Sequence, residues 1–81
     1  MTIYPQTLIN VEVQRKPDID SIAALKDIIA AVETDLGEKG RVVVRYSGTQ
    51  PMCRAMVEGP TQDQTDRHCR QIADVIQKEL G

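Results

Sequence analysis

The sequence predicts an α+β fold in which a small antiparallel sheet carries two helices packed on one face, in the chain order β-α-β-β-α. Three short segments alternate apolar and polar residues, as strands do, and two longer segments repeat apolar residues every three or four positions, as amphipathic helices do. The second and third strand segments are joined by a turn too short for a crossover, so they are expected to be antiparallel. A chain of 81 residues is long enough for one such domain.

The first strand is predicted from Thr7 to Arg15 by strict alternation of side chains. Residues 1–6 contain Pro5 and are predicted to be a lead-in or linker, which leaves 7–81 as the domain. The apolar face of this strand carries Ile9, Val11 and Val13.

The first helix follows the break at Pro17. Either Asp18 or Asp20 is expected to cap it, because a carboxylate can accept a hydrogen bond from a first-turn N–H. Gly37 is expected to end it in the left-handed conformation. The predicted apolar stripe is Ile22, Leu25, Ile29, Val32 and Leu36.

The second half of the chain contains two strands and a helix. The strands are predicted at about 41–47 and 52–59, and Pro60 ends the second. Thr61 and Gln64 match a capping box, which predicts the start of the last helix. The apolar stripe of that helix is Cys69, Ile72, Ala73, Ile76 and Leu80.

The pairing of the two hairpin strands follows from the alternation, because a slip by one residue would move every apolar side chain to the wrong face. With the turn centred on Thr49 and Gln50, one face becomes wholly apolar and the other brings Arg45 directly opposite Arg54. Like charges in that position destabilise a sheet by up to about 1 kcal/mol. The apolar face carries Val42, Val44, Tyr46, Cys53, Ala55 and Val57.

An anion held between the two arginines would offset their repulsion, since each guanidinium is a planar fork that fits phosphate or carboxylate oxygens. The loop beside them adds the hydroxyls of Ser47 and Thr49. Gly48 permits positive backbone dihedrals that can aim consecutive N–H groups into one concavity. The hairpin is therefore predicted to bind a phosphate. A plain surface turn flanked by exposed arginines is the alternative.

Composition excludes several kinds of function. The net charge of −2 gives no broad basic surface, and two aromatic residues offer little for base stacking, so nucleic acid is not an expected partner. The absence of an apolar stretch of about 20 residues argues against a membrane partner, and the chain is expected to be cytoplasmic.

Few other side chains suggest chemistry. Cys53 and Cys69 lack the spacing of metal ligands and are expected to be small buried hydrophobes, and neither a metal site nor a catalytic residue is predicted. His68 is expected to face solvent. Met52 and Met56 share the arginine face and are expected to contact a neighbouring domain or fill a gap.

The run GRVVVRYSGTQPMCRAMVEG, residues 40–59, resembles the C-terminal domain of the alpha-D-phosphohexomutases, whose phosphate loop reads approximately Arg-x-Ser-Gly-Thr-Glu-Pro-x-x-Arg. The entry strand YPQTLINVEV and the exit Met-Val-Glu-Gly are most similar to the bacterial phosphoglucosamine mutase branch. The resemblance extends from Tyr4 to the end of the chain. Gln50 stands where the family usually has Glu, which removes a negative charge near the anion and puts a loop-ordering contact in doubt.

The resemblance implies a function that the residues alone do not. Family members are four-domain isomerases that interconvert hexose 6- and 1-phosphates, with a phosphoserine in the first domain and Mg²⁺ in the second. The fourth domain grips the phosphate that is not reacting. By resemblance, Arg45, Ser47, Gly48, Thr49 and Arg54 would contact the phosphate of a phosphosugar substrate.

Acting alone, a chain of this kind would not be catalytic, because it contains no phosphoserine loop and no aspartate cluster for the metal. Its partners would be the three upstream domains of the same enzyme. Two alternatives remain open: the same domain of a phosphomannomutase or phosphoglucomutase, and a stand-alone protein-interaction module that docks through its sheet face.

Overall fold

The structure, a computed structural model, describes residues 4–81 and confirms the α+β fold. Part of the predicted lead-in, residues 1–3, lies outside the described residues, so its boundary with the domain stays a prediction. The elements are β1 (Gln6–Glu12), α1 (Ala23–Leu36), β2 (Arg41–Tyr46), β3 (Met52–Glu58) and α2 (Gln62–Leu80). Short 3₁₀ turns at Ile19–Ser21 and Gly37–Lys39 flank α1.

The three strands form an antiparallel sheet in the order β1-β3-β2. β1 stops three residues earlier than predicted, because Glu12 is opposite Met52, the first residue of its partner strand. Beyond that point the backbone bonds elsewhere: Val13 N donates to Pro51 O at 2.8 Å and Gln14 N to Leu80 O at 2.7 Å. The chain is thus extended past β1 but no longer part of the ladder.

The predicted aspartate cap of α1 is wrong. The 3₁₀ turn separates Asp18 and Asp20 from the helix, which has Ile22 at its N-cap and no side-chain cap. Asp18 instead offers its backbone carbonyl to the N–H of Ser21 at 2.9 Å and to its hydroxyl at 2.6 Å. The C-terminal prediction is confirmed in its main feature, since Gly37 has φ +59° and donates its N–H to the carbonyl of Glu33.

The start of α2 follows the sequence prediction, because Thr61 Oγ1 accepts from Gln64 N at 3.2 Å. Thr65, which the apolar pattern did not include in the core, is fully buried, and its hydroxyl donates to Thr61 O at 2.6 Å. A Cβ on Gly59 would lie 2.7 Å from Thr65 Oγ1, so a side chain there would collide with the helix. Gly59 therefore lets α2 pack closely over the end of β3.

The core lies between both helices and one face of the sheet. The two cysteines are buried and free, as predicted, and burial raises the pKa of both thiols. No helix within residues 4–81 is long and apolar enough to cross a membrane. The buried apolar side chains are Val11, Val13, Leu25, Val32, Leu36, Cys53, Ala55, Val57, Cys69, Ile72, Ala73, Ile76 and Leu80.

Candidate functional site

The β2–β3 hairpin has the predicted register. Arg45 is directly opposite Arg54, and Tyr46 is opposite Cys53. Both arginines are exposed and lie on the sheet face that the helices leave open. The structure therefore brings together two guanidinium-bearing side chains at the base of one loop, which is the feature that the anion hypothesis requires.

The loop at residues 47–51 is organised by the side chain of Ser47. Its Oγ accepts from the backbone N–H of Thr49 at 3.4 Å and of Gln50 at 3.3 Å. Ser47 N also donates to Met52 O at 2.8 Å, which closes the base of the turn. These side-chain bonds are long and exposed, so a stronger acceptor such as a phosphate oxygen could replace Ser47 Oγ as the partner of either N–H. A hydroxyl that accepts also keeps its own O–H for donation.

Gly48 does not behave as predicted. Gly37 is the residue with positive φ within residues 4–81, so the expected left-handed backbone at Gly48 is absent. The physical reason is the Ser47 hydroxyl. It accepts hydrogen bonds from the backbone N–H groups of Thr49 and Gln50 and so supports the turn without a left-handed residue. A Cβ on Gly48 would meet no atom within 4 Å, so the backbone there is open to approach from outside.

Three contacts that the sequence did not predict connect the loop to the segment after β1. Lys16 Nζ donates to Ser47 O at 2.7 Å, and the Tyr46 hydroxyl donates to Pro17 O at 2.5 Å. The third is the bond from Val13 N to Pro51 O. Burial is the main cause that raises the pKa of Tyr46, followed by the charges of nearby groups, so its hydroxyl stays a donor. No local pattern could have found these contacts, since their partners are about 30 residues or more apart in sequence.

The open sheet face combines positive charge with apolar surface. It forms a shallow hollow of about 420 Å³, and Leu8 in it is 53% exposed. Arg41 lies at the far end of β2, opposite Glu58, whose carboxylate accepts from Gln6 Nε2 at 2.6 Å. The residues that line the hollow are Leu8, Arg41, Val43, Arg45, Arg54 and Met56.

His68 lies on the helical side of the sheet and not at this site. The prediction that it faces solvent is wrong, because its side chain is 13% exposed. Its Nε2 is 2.7 Å from Asp35 Oδ2, and its Nδ1 is 3.4 Å from Gln71 Oε1. This contact joins α1 to α2, so it is a packing contact between helices.

A magnesium ion does not fit the described part of the chain. Within residues 4–81 no group of three or more His, Cys, Asp or Glu side chains is placed to hold a metal. The side chains around the hairpin loop are arginines, a lysine and hydroxyl-bearing residues. These groups donate hydrogen bonds to an anion, whereas a divalent cation such as Mg²⁺ needs oxygen ligands such as carboxylates. We therefore derive no metal-dependent step from this chain.

Comparison with known proteins decides the family. The family model described as "Phosphoglucomutase/phosphomannomutase, C-terminal domain" matches residues 8–75. The chain belongs to this family. The matched region contains most of β1, the whole hairpin and most of α2, so the candidate site lies within it.

Curated relatives within the family are named phosphoglucosamine mutase. One from Syntrophus aciditrophicus is 57% identical and one from Syntrophobacter fumaroxidans is 52% identical, each over all of this chain. The chain spans 18% of the length of either relative. The match therefore concerns one domain of a larger enzyme.

Solved structures share the fold. Aspergillus fumigatus N-acetylphosphoglucosamine mutase, in complex with GlcNAc-6P and magnesium, gives a TM-score of 0.78 at 22% identity. The match covers 95% of this chain and 16% of that one. An N-acetylglucosamine-phosphate mutase of the alpha-D-phosphohexomutase superfamily, in its product complex, gives 0.74 at 23% identity, over 93% of this chain and 16% of that one.

Proposed function

We propose that this chain is the C-terminal domain of a phosphoglucosamine mutase and that its hairpin, residues 45–54, clamps the non-reacting phosphate of the substrate. The observation that carries the proposal is the placement of Arg45 opposite Arg54 at the base of a hydroxyl-bearing loop. Family membership and the names of the relatives support the enzyme class, an isomerase acting on a phosphosugar. Glucosamine 6-phosphate is the substrate that those names suggest.

The chemistry of the hairpin suits a phosphate dianion. Without an anion the cross-strand arginine pair is unfavourable by up to about 1 kcal/mol, and a dianion between the two guanidinium groups turns that repulsion into two attractions. Ser47 and Thr49 supply hydroxyl donors on the same loop. Gly48 has no Cβ, and the space that one would fill is open, which leaves room for a phosphate to approach the backbone there.

The clamp would act by positioning. Energy from binding a remote phosphate orients the reacting end of the sugar, and it helps to close the cleft over it. In this proposal the phosphoryl transfer, the phosphoserine and the Mg²⁺ ion belong to the three other domains of the enzyme. A charged phosphosugar substrate also agrees with the cytoplasmic location predicted from the sequence.

A phosphoglucomutase or phosphomannomutase is the alternative within the family, and the description of the matching family model names both enzymes. The hairpin offers contacts to a phosphate and few to the hexose substituents, so this domain alone does not choose among sugars. The other alternative, a docking module, is favoured by the exposed side chain of Leu8 beside the partly buried Val43 and Met56. It predicts that Val43 and Met56 matter more than the arginines.

An NMR titration of the isotope-labelled 81-residue chain tests the clamp. Glucosamine 6-phosphate and inorganic phosphate should both shift the amides of residues 45–54, whereas unphosphorylated glucosamine should not. Arg54→Gln should abolish the shifts. Arg41→Gln is the matched control, because Arg41 lies on the same face but about 13 Å along β2 from Arg45.

Two results would count against the clamp. A few charge-assisted contacts are expected to give roughly millimolar affinity. The first contrary result is therefore an absence of amide shifts in the hairpin at tens of millimolar phosphate. The second is equal loss of binding in Arg41→Gln and Arg54→Gln, which would indicate general attraction by the positive face.

A further inference from the structure

The segment at residues 13–17 holds the hairpin loop at three points. Two of the bonds secure its flanks, at Tyr46 and at Pro51. The third, from Lys16 Nζ to Ser47 O, secures the residue whose side chain organises the loop. Lys16 itself is exposed, so packing does not determine where its ammonium group lies. The position of the ammonium group is set by its hydrogen bond to Ser47 O.

The carbonyl of Ser47 and the N–H of Gly48 belong to one planar trans peptide, in which the C=O and N–H bonds point in opposite directions. A bond that fixes the carbonyl toward Lys16 therefore fixes the Gly48 N–H away from Lys16. Gly48 has no Cβ and nothing within 4 Å of where one would be, so its own sterics do not restrict this peptide plane. The ammonium also polarises the peptide group, which strengthens the N–H as a donor.

We propose that Lys16 is a positioning residue for the hairpin loop: its bond to Ser47 O fixes the Ser47–Gly48 peptide so that the Gly48 N–H is presented to the ligand. This inference rests on the proposed phosphate clamp for the identity of the ligand. It does not rest on the clamp for the order of the loop, which Lys16 controls whether or not phosphate is bound.

Three variants separate positioning from simple charge. Lys16→Met keeps the apolar stem and removes the donor, and Lys16→Arg restores a donor of the same charge. Lys26→Met removes an exposed lysine from α1 and serves as the control. Each variant of the 81-residue chain is studied by ¹⁵N relaxation without ligand and by titration with inorganic phosphate at low and high NaCl.

The expected result for Lys16→Met is a fall in the Gly48 amide order parameter toward about 0.6 or below, without change in the helices. Phosphate affinity should fall about three- to tenfold, and the loss should persist at high salt. Lys16→Arg should recover both quantities and Lys26→Met should alter neither.

Unchanged Gly48 order in Lys16→Met overturns the inference, whatever happens to affinity; an affinity loss that disappears in salt would then assign Lys16 a long-range charge role. A third outcome combines two results: Gly48 loses order in Lys16→Met, and the wild-type chain binds no phosphate. This outcome refutes the clamp and supports the positioning of the loop by Lys16. Failure of one proposal is thus distinguishable from failure of the other.

Discussion

Replacing one arginine of the facing pair should change thermal stability in opposite directions with and without phosphate. Arg54→Gln keeps much of the side-chain stem and removes the charge opposite Arg45. The relieved repulsion is worth up to about 1 kcal/mol, which for a domain of this size corresponds to a rise in Tm of up to roughly 4–8 °C. We therefore expect the variant to be the more stable protein in phosphate-free buffer of low ionic strength.

Phosphate should reverse this order. If the wild-type chain binds with a Kd on the order of 1 mM, about 20 mM phosphate stabilises it by about 2 kcal/mol through mass action. The variant, which lacks one of the two arginines of the proposed clamp, should gain little. The two melting curves should therefore exchange places as phosphate is added, and a general effect of salt on stability would not produce that crossing.

Differential scanning fluorimetry or calorimetry at fixed ionic strength measures both effects, with chloride replacing phosphate in the control buffer. Arg45→Gln should repeat the behaviour of Arg54→Gln, and the double variant should gain less than the sum, because the repulsion can be removed once. At about 1 M NaCl, where charges more than about 3 Å apart are screened, the phosphate-free difference should largely close.

The reasoning is refuted if Arg54→Gln lowers Tm without phosphate and phosphate then raises both proteins equally. That result would mean that the two side chains diverge into solvent without mutual repulsion and share no anion.

Three further predictions concern the scaffold of the site. Ile72→Ala should destabilise the domain by about 2–5 kcal/mol in urea denaturation, since Ile72 is fully buried; a loss below about 1 kcal/mol would show a loosely packed core. Thr61→Ala removes the side-chain acceptor at the start of α2 and should cost about 1 kcal/mol, measured in the same way, with Thr61→Ser as the control that retains the cap. Asp66 accepts hydrogen bonds from the Thr7 hydroxyl and the Gln62 amide, and these bonds, the first having the larger effect, lower the pKa of its carboxyl group. The contribution of Asp66 to stability is therefore complete above about pH 4 and is lost as pH falls through the lowered pKa. Asp66→Asn should flatten that acid dependence, and a wild-type acid limb retained in the variant would contradict the assignment.

The sheet could be predicted from sequence because its register has one solution that buries the apolar face. A shift of one residue between β2 and β3 would turn one strand over, which would either expose Val44 and bury Arg45 or expose Ala55 and bury Arg54. Alternation and a short turn together therefore determine the pairing. The capping of α1 could not be predicted in the same way. Asp18 and Asp20 have the right chemistry, but the intervening 3₁₀ turn moves them out of reach, and no periodic pattern marks such a turn.

The candidate site also has one part that could be predicted from the sequence and one part that could not. The arginine pair is a property of strand register, so alternation reveals it, whereas the order of the loop depends on side chains whose partners are distant in sequence. Lys16 bonds to a backbone carbonyl 31 residues away, and a carbonyl has no residue identity to be recognised. At Gly48 the sequence suggested a feature that the structure does not have. A glycine in the turn suggested left-handed backbone, but the hydroxyl of Ser47 stabilises the turn without a left-handed residue. If the Gly48 N–H binds the ligand, its direction is therefore set by Lys16 from outside the hairpin, and the motif of residues 45–54 is incomplete without the segment after β1.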